Sequence, residues 1–355
     1  MFLLRDVQTD DLDGLLGVAK HLDTVNLPND RAVLHKLIEH SMRSFSGALP
    51  PFEREYLFVL LDLEQERIVG TSMIHAQHGT RKTPHIFFDL LDDERYSETL
   101  DRHFVHKVLR IGYNYNGPTE IGGLVVLPEY RRHKHALGRW LSYVRFLYIG
   151  THRGWFRDEV LSELLPPLLP DGSSIMWESI GRRFTGMSYQ EADRISQTNK
   201  EFIRTLFPAD PIYLSLFPES VQQEVGQVGP GSKGVEKMLT RIGFRFVDRI
   251  DPFDGGPHFV ARTDEISLVK ATRKLRVSER PGPADSPIFM ISSERATERA
   301  LDPLFRATGS TARIAGDEVE LPQETIELLG LRVGEEVGVV PLDAVDHNAK
   351  KEDAR

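Results

Sequence analysis

Residues 120–139, EIGGLVVLPEYRRHKHALGR, pass from an apolar β-rich run, through a proline, into five consecutive basic or imidazole side chains and out into a segment of helical period. EIGGLVV does not alternate polar with apolar residues, so it reads as a strand covered on both faces. The following segment carries Leu137, Leu141, Val144 and Leu147 or Tyr148 on one face, as a helix packed on that sheet would. Strand, short loop and helix in this order set an α/β architecture and put the first turn of a helix at the carboxyl end of a strand.

A helix N-terminus exposes unpaired N–H groups and the positive end of its dipole, which attract phosphate. Arg131, Arg132, His133, Lys134 and His135 precede that end, Arg139 follows it, and the small residues Ala136 and Gly138 let an anion approach the backbone. The plainer reading is a solvated basic turn. The chain as a whole gives an anion no help: 44 basic residues against 53 acidic ones leave a net charge of -9, the wrong sign for nucleic acid or an anionic membrane. There is no cysteine, which excludes disulfides, thiolate metal sites and a cysteine nucleophile. No signal-like or membrane-length apolar run is present, and a cytoplasmic location is expected.

Elsewhere the chain opens with a strand, a capped helix over residues 9–22, and two apolar runs at 56–62 and 67–76 joined by a charged turn. Residues 104–114 fit a strand or a helix, and 154–243 reads as mostly helical with punctuated loops. A helix, a stop at Gly243 and two strands around DGGP follow. KLRVSERPGPADSP has the composition of a linker, so the expected division is a main domain 1–273, a linker 274–289, a small β-rich domain 290–345 and a tail 346–355.

Strand, helix, hairpin, strand, basic loop and helix is the order of the GNAT acyl-CoA-dependent N-acyltransferases. LPEYRRHKHALGRWL resembles their pyrophosphate-loop signature, with His133 in its first position and Ala136 replacing its first glycine. SYVRFLYI, IMWESIGRRFTGMSYQEADRIS, NKEFIRTLFPADPIY, GQVGP and IGFRFVDRIDPFDGGPHFVA resemble, in order, the motifs of the arginine N-succinyltransferase family, and the likeness runs from about residue 2 to 270. It implies a mixed central sheet flanked by helices and transfer of a succinyl group from succinyl-CoA, a co-substrate and not a bound cofactor, to the α-amine of arginine, the first step of an arginine-degrading route. It also leaves open a related transferase with another acyl-CoA or amine, or a CoA-binding regulator without turnover.

The amine must lose a proton before it attacks a thioester. Glu120 is the candidate base, directly or through water; a strand-end carboxylate in solvent is the plainer alternative. Backbone amides at Val125 to Leu127 are the candidate oxyanion donors. Glu178 and Asp193 are candidates for the guanidinium of arginine, and Arg182 or Arg183 for a carboxylate; each could equally be a surface ion pair. Asn199 and Lys200 stand at a loop-helix junction, and Asp254 and His258 belong to a turn that could face the acceptor. His133 and His135 have cations around them and no metal-binding spacing is found, so no metal site is expected.

DEVELPQETIELLGLRVGEEVGVVPL resembles the swapped-hairpin barrels of small bacterial regulators. Residues 290–345 hold 5 Arg and no Lys against 11 acids, 5 - 11 = -6, which opposes DNA binding and leaves dimerisation or packing. The expected partners are small molecules and a second copy of the chain.

Overall fold

The computed structural model describes residues 1–20, 27–196, 200–283, 285–295 and 304–342. Asn199 and the expected tail 346–355 lie outside the described residues. The N-terminal half runs β1 (Phe2–Asp6), α1 (Leu12–Ala19), α2 (Arg31–Phe45), β2 (Glu55–Asp62), β3 (Arg67–His75), β4 (His85–Ser97), β5 (Arg102–Asn114), β6 (Thr119–Val126) and α3 (Leu137–Thr151). Then come β7 (Glu159–Glu163), α4 (Arg182–Thr185), α5 (Tyr189–Ser196), α6 (Glu201–Leu206), β8 (Ile212–Tyr213), α7 (Glu219–Glu224), α8 (Lys233–Arg241), β9 (Arg245–Ile250), β10 (Pro257–Arg262) and α9 (Ser267–Ala271). The chain finishes with β11 (Arg273–Val277), β12 (Ile288–Glu294), β13 (Phe305–Thr311), β14 (Arg313–Ala315), β15 (Glu318–Glu320), α10 (Gln323–Leu329) and β16 (Glu336–Pro341).

The architecture is the expected α/β one: a mixed sheet with helices on it, in the order β14-β15-β11-β16-β12-β13-β1-β2-β3-β6-β7-β10-β9-β4-β5-β8. Two pairs, β6 with β7 and β11 with β15, are parallel, and the remaining pairs are antiparallel. One open reading is settled and two expectations change. Residues 104–114 belong to a strand, whose partner β4 is matched to it residue for residue from His85–Asn114 to Ser97–Arg102. The stretch read as mostly helical contains β7; EVLSE is too short for its period to register, and its pairing is supplied by β6 and β10, far away in sequence.

The second change concerns the C-terminal part. Residues 274–277, expected as linker, lie in β11 and pair with β16, and β13 pairs with β1, so this β-rich part continues the central sheet. Its strands find partners within the same chain, and β14 forms one edge of the sheet. Its apolar core takes in Leu3 of β1 together with Leu275, Ile291, Val337 and Val339.

Helix α3 is the centre of the molecule. An amphipathic stripe predicts one buried face, but Trp140 through Ile149 are all buried, because β3 and β6 cover one side while α9, β12 and β16 cover the other. The approach of β13 is close enough that a Cβ at Gly309 would lie 2.2 Å from the Trp140 ring. A contact of 3.0 Å between His152 Nε2 and Glu294 Oε2 ties the end of α3 to β12.

Candidate active site

β6 and β7 stay paired at two positions only, Thr119 with Val160 and Glu120 with Leu161. Beyond them the two strands part. β6 meanwhile remains on β3 through a bulge between Gly122 and Val125, where Gly123 takes φ +56 and a Cβ would sit 2.9 Å from Met73 Cγ. The parting opens onto a cavity of about 930 Å³, lined by Glu120 to Leu124 on one strand and Ser162 to Leu165 on the other.

Titratable groups crowd this cavity. Glu120 is 4 % exposed and its Oε2 lies 2.7 Å from His78 Nδ1. Burial works against its charge, yet the His78 contact outweighs burial and holds the carboxyl at about 2. On the facing strand, a single oxygen of Glu163, which also lines the cavity, faces His85 Nε2 at 3.2 Å and His258 Nε2 at 3.3 Å. Burial pushes both imidazoles down, His258 to about 4, so they are neutral at pH 7; Glu163, despite its own burial, is held well below the usual carboxylate range by these histidines. His75 behaves in the opposite way: burial would lower it, but Glu55 at 3.3 Å raises it to about 9.

That last pair gives a prediction with a fixed sign. A histidine raised from 6.5 to about 9 contributes stability that is fully present below pH 6.5 and is lost as pH rises through about 9. The melting temperature of the wild type should therefore exceed that of His75→Gln by a margin that shrinks between about pH 7 and pH 10. A margin independent of pH over that range would dismiss the charged pair.

The acidic wall comes from the turn before β10. Asp251 Oδ1 accepts the Phe253 amide at 2.6 Å and Asp254 Oδ1 accepts the Gly256 amide at 2.7 Å, which builds the turn and aims both acids at the cavity they line. Burial raises Asp251 to about 6, and burial with Asp251 as neighbour raises Asp254 well above its usual range. Lys200 lines the same wall, over the Phe253 ring.

At the far end of β6 the chain enters the basic loop. α3 begins directly after Ala136, which adopts a left-handed φ of +50, the conformation that glycine holds at no steric cost. Arg131 folds back so that Nε donates to the Val126 carbonyl at 3.0 Å, and Arg139 Nε is buried without a protein partner. Gly138 is open: a Cβ there would meet only Val126 Cγ2, at 3.8 Å. Arg132 and Lys134 are exposed. His133 turns away from the helix start, its ring 4.8 Å from Phe2 and its Nδ1 accepting the His135 amide at 3.3 Å.

Several candidates need correction. Leu127 is no oxyanion donor, because its N–H is given to the Val69 carbonyl at 2.9 Å. Val125 faces Thr71 in the same ladder, and amides alternate along a strand, so the amide on the open side is that of Val126. Glu178 and Arg182 do not line the cavity; they bond each other at 2.5 Å, one turn apart, as the plainer reading had it. Asp193, Lys200 and Asp254 do line it, whereas His258 joins the Glu163 cluster behind it.

Sequence reasoning missed His75, His78, His85, Glu55, Glu163 and Arg145, whereas Asp251 belongs to the turn already singled out with Asp254 and His258. His75 ends β3, His78 follows it on the segment before β4, His85 opens β4 and Glu163 ends β7, so it is the pairing of strands distant in sequence that assembles them. His78, His85 and Glu163 also offer ligand atoms within 4.8 Å of one another, and are the group among the described residues that could hold a divalent ion. Arg145 did leave a signal, a cation in the middle of the apolar run SYVRFLYI.

A family model described as arginine N-succinyltransferase beta subunit matches residues 2–268. The chain is similar to the arginine N-succinyltransferase of Yersinia pestis (strain Pestoides F), 29% identical over 354 residues, covering 97% of this chain and 99% of that one. It is also similar to the enzyme of that name from Shigella boydii serotype 18, 29% identical over 353 residues, covering 98% and 100%. The solved structure of arginine/ornithine succinyltransferase subunit AI from Pseudomonas aeruginosa superposes with a TM-score of 0.81 at 27% identity, covering 97% of this chain and 99% of that one. Both coverages extend past residue 273, so the C-terminal β-rich part belongs to the shared architecture.

Proposed function

This chain belongs to the arginine N-succinyltransferase family, and from that premise we propose that it transfers the acyl group of succinyl-CoA to the α-amine of arginine in the fork between β6 and β7. The observation that carries the reading is the fork itself: a parallel pair that separates, with the basic start of α3 beyond the end of β6 and an acid-lined cavity between the strands. The loop at Arg131, Gly138 and Arg139 takes the pyrophosphate of CoA, and the thioester lies along the open side of β6 near the Val126 amide. Asp251 and Asp254 receive the guanidinium, whose charge restores both acids to their ionised form, and Lys200 receives the carboxylate of arginine.

His78 is the base in this scheme. Its Nδ1 is bonded to Glu120, which leaves Nε2 as the nitrogen for the amine proton, and Glu120 acts through it by fixing the ring and balancing the imidazolium. Attack of the amine nitrogen forms the C–N bond, the oxyanion collapses, and the C–S bond breaks to release CoA thiolate. No covalent enzyme intermediate is needed, in keeping with a chain that has no cysteine.

The same lack of cysteine makes the test clean, because the protein adds no thiol to a chromogenic disulfide assay. Thiol release that requires both arginine and succinyl-CoA is expected, with acetyl-CoA slower by at least about tenfold. Ornithine, which the name of the Pseudomonas aeruginosa relative pairs with arginine, is the second acceptor to assay. Release that ignores arginine, or that proceeds equally with acetyl-CoA, would overturn the assignment. No helix among the described residues is long and apolar enough to cross a membrane, and a cytoplasmic enzyme acting on two small molecules fits this reading.

A further inference from the structure

Arg145 is 2 % exposed, and among the described residues no carboxylate pairs with it. Its guanidinium donates to neutral oxygens instead: Nε to the Ser142 carbonyl at 3.2 Å, Nη2 to Ser142 Oγ at 3.0 Å and Nη1 to the Gly122 carbonyl at 3.4 Å. The acids of the nearby fork are already engaged, Glu120 by His78 and Glu163 by His85 and His258. A guanidinium carries five N–H groups, so two remain. A buried cation without a counter-ion is costly, and burial alone pulls this one down to about 9. Such a group persists in a fold when an anion arrives to complete it.

The position says which anion. Arg145 lines the cavity, on the helix whose first turn is the basic loop and about 10 Å further along its axis. It touches Gly122, at the bulge of the strand along which the thioester is placed. We propose that Arg145 binds the distal carboxylate of the acyl chain and thereby selects a dicarboxylic acyl-CoA over a neutral one. This rests on the acyltransferase reading above. The other carboxylate in the reaction, that of the acceptor, has Lys200 among the acids of the 251–254 turn.

The test compares Arg145→Met with the wild type by thiol release, using succinyl-CoA and butyryl-CoA, whose acyl chains have the same length with methyl in place of carboxylate. The variant should lose on the order of 10²–10³-fold in kcat/KM for succinyl-CoA, keep or gain activity with butyryl-CoA, and leave the KM for arginine unchanged. Its melting temperature without ligand should equal or exceed that of the wild type, since an apolar side chain of similar volume replaces an unpaired buried charge. Unchanged donor selectivity would overturn the proposal, and so would a rise in the KM for arginine, which would move Arg145 to the acceptor. If Arg145→Met does not fold, Arg145→Lys, which keeps the charge but not the bidentate fork, should show a smaller loss confined to succinyl-CoA; equal losses with both donors would count against the proposal. A wild type inactive with succinyl-CoA and arginine would instead sink the activity assignment, so the two failures are distinguishable.

Discussion

His78→Gln is expected to lower kcat/KM for arginine by about two to four orders of magnitude, the range that a positioned base contributes, and to leave affinity for CoA at the wild-type value. The split follows from geometry. His78 lines the cavity and is fixed by Glu120, but it lies on the segment between β3 and β4, away from the basic loop that is assigned the pyrophosphate. Glutamine keeps a polar side chain beside Glu120 and removes the nitrogen that would accept the proton. Binding of CoA by calorimetry and thiol release with both substrates, measured on the same preparation, read the two quantities separately. A variant that retains turnover within about tenfold would move the base to the Glu163 cluster, where His85 and His258 are the neutral imidazoles.

The contrast with Glu120 shows what a sequence reading can and cannot find. Glu120 was legible as a candidate because it is a carboxylate at the start of a recognisable strand. Its role was not legible, because the depression to about 2 depends on His78, 42 residues away and brought alongside only when β6 lies on β3. The same holds for β7. Five residues leave no periodic signal, yet its parting from β6 makes the cavity. The helix α3, by contrast, was readable from spacing and its loop from charge, since both are local. Its burial on all sides was not, because the second cover comes from β12 and β16, more than 130 residues later in the chain.

The C-terminal part carries the same lesson from the other direction. A proline-rich composition around residue 280 marks a turn as readily as a linker, and only pairing distinguishes them. Here β11 is claimed by β16, and β13 by β1, so that α3 is held between the catalytic sheet and its continuation. The start of α3, the proposed seat of the CoA pyrophosphate, is thereby braced from both sides.

Gly138→Asp tests that start directly, and its two expected effects have opposite signs. The position lies in the first turn of α3, where an added Cβ meets only Val126 Cγ2 at 3.8 Å, so no clash forces the helix to move. A carboxylate in a first helical turn interacts favourably with the dipole, and glycine loses more backbone entropy on folding than any other residue. The ligand-free variant should therefore be as stable as the wild type, or more stable by up to about 1 kcal/mol in chemical denaturation. For CoA the same carboxylate is a like charge where pyrophosphate would sit. Two unit charges about 4 Å apart near a protein surface repel by about 4 kcal/mol, equivalent to roughly a thousandfold in affinity. Higher salt should narrow the gap between variant and wild type, since screening weakens repulsion as well as attraction. A folded variant that binds CoA as the wild type does would reduce residues 131–139 to a basic turn on the surface. A large loss with undiminished stability fixes the pyrophosphate at the N-terminus of α3, because unfolding could not then account for it.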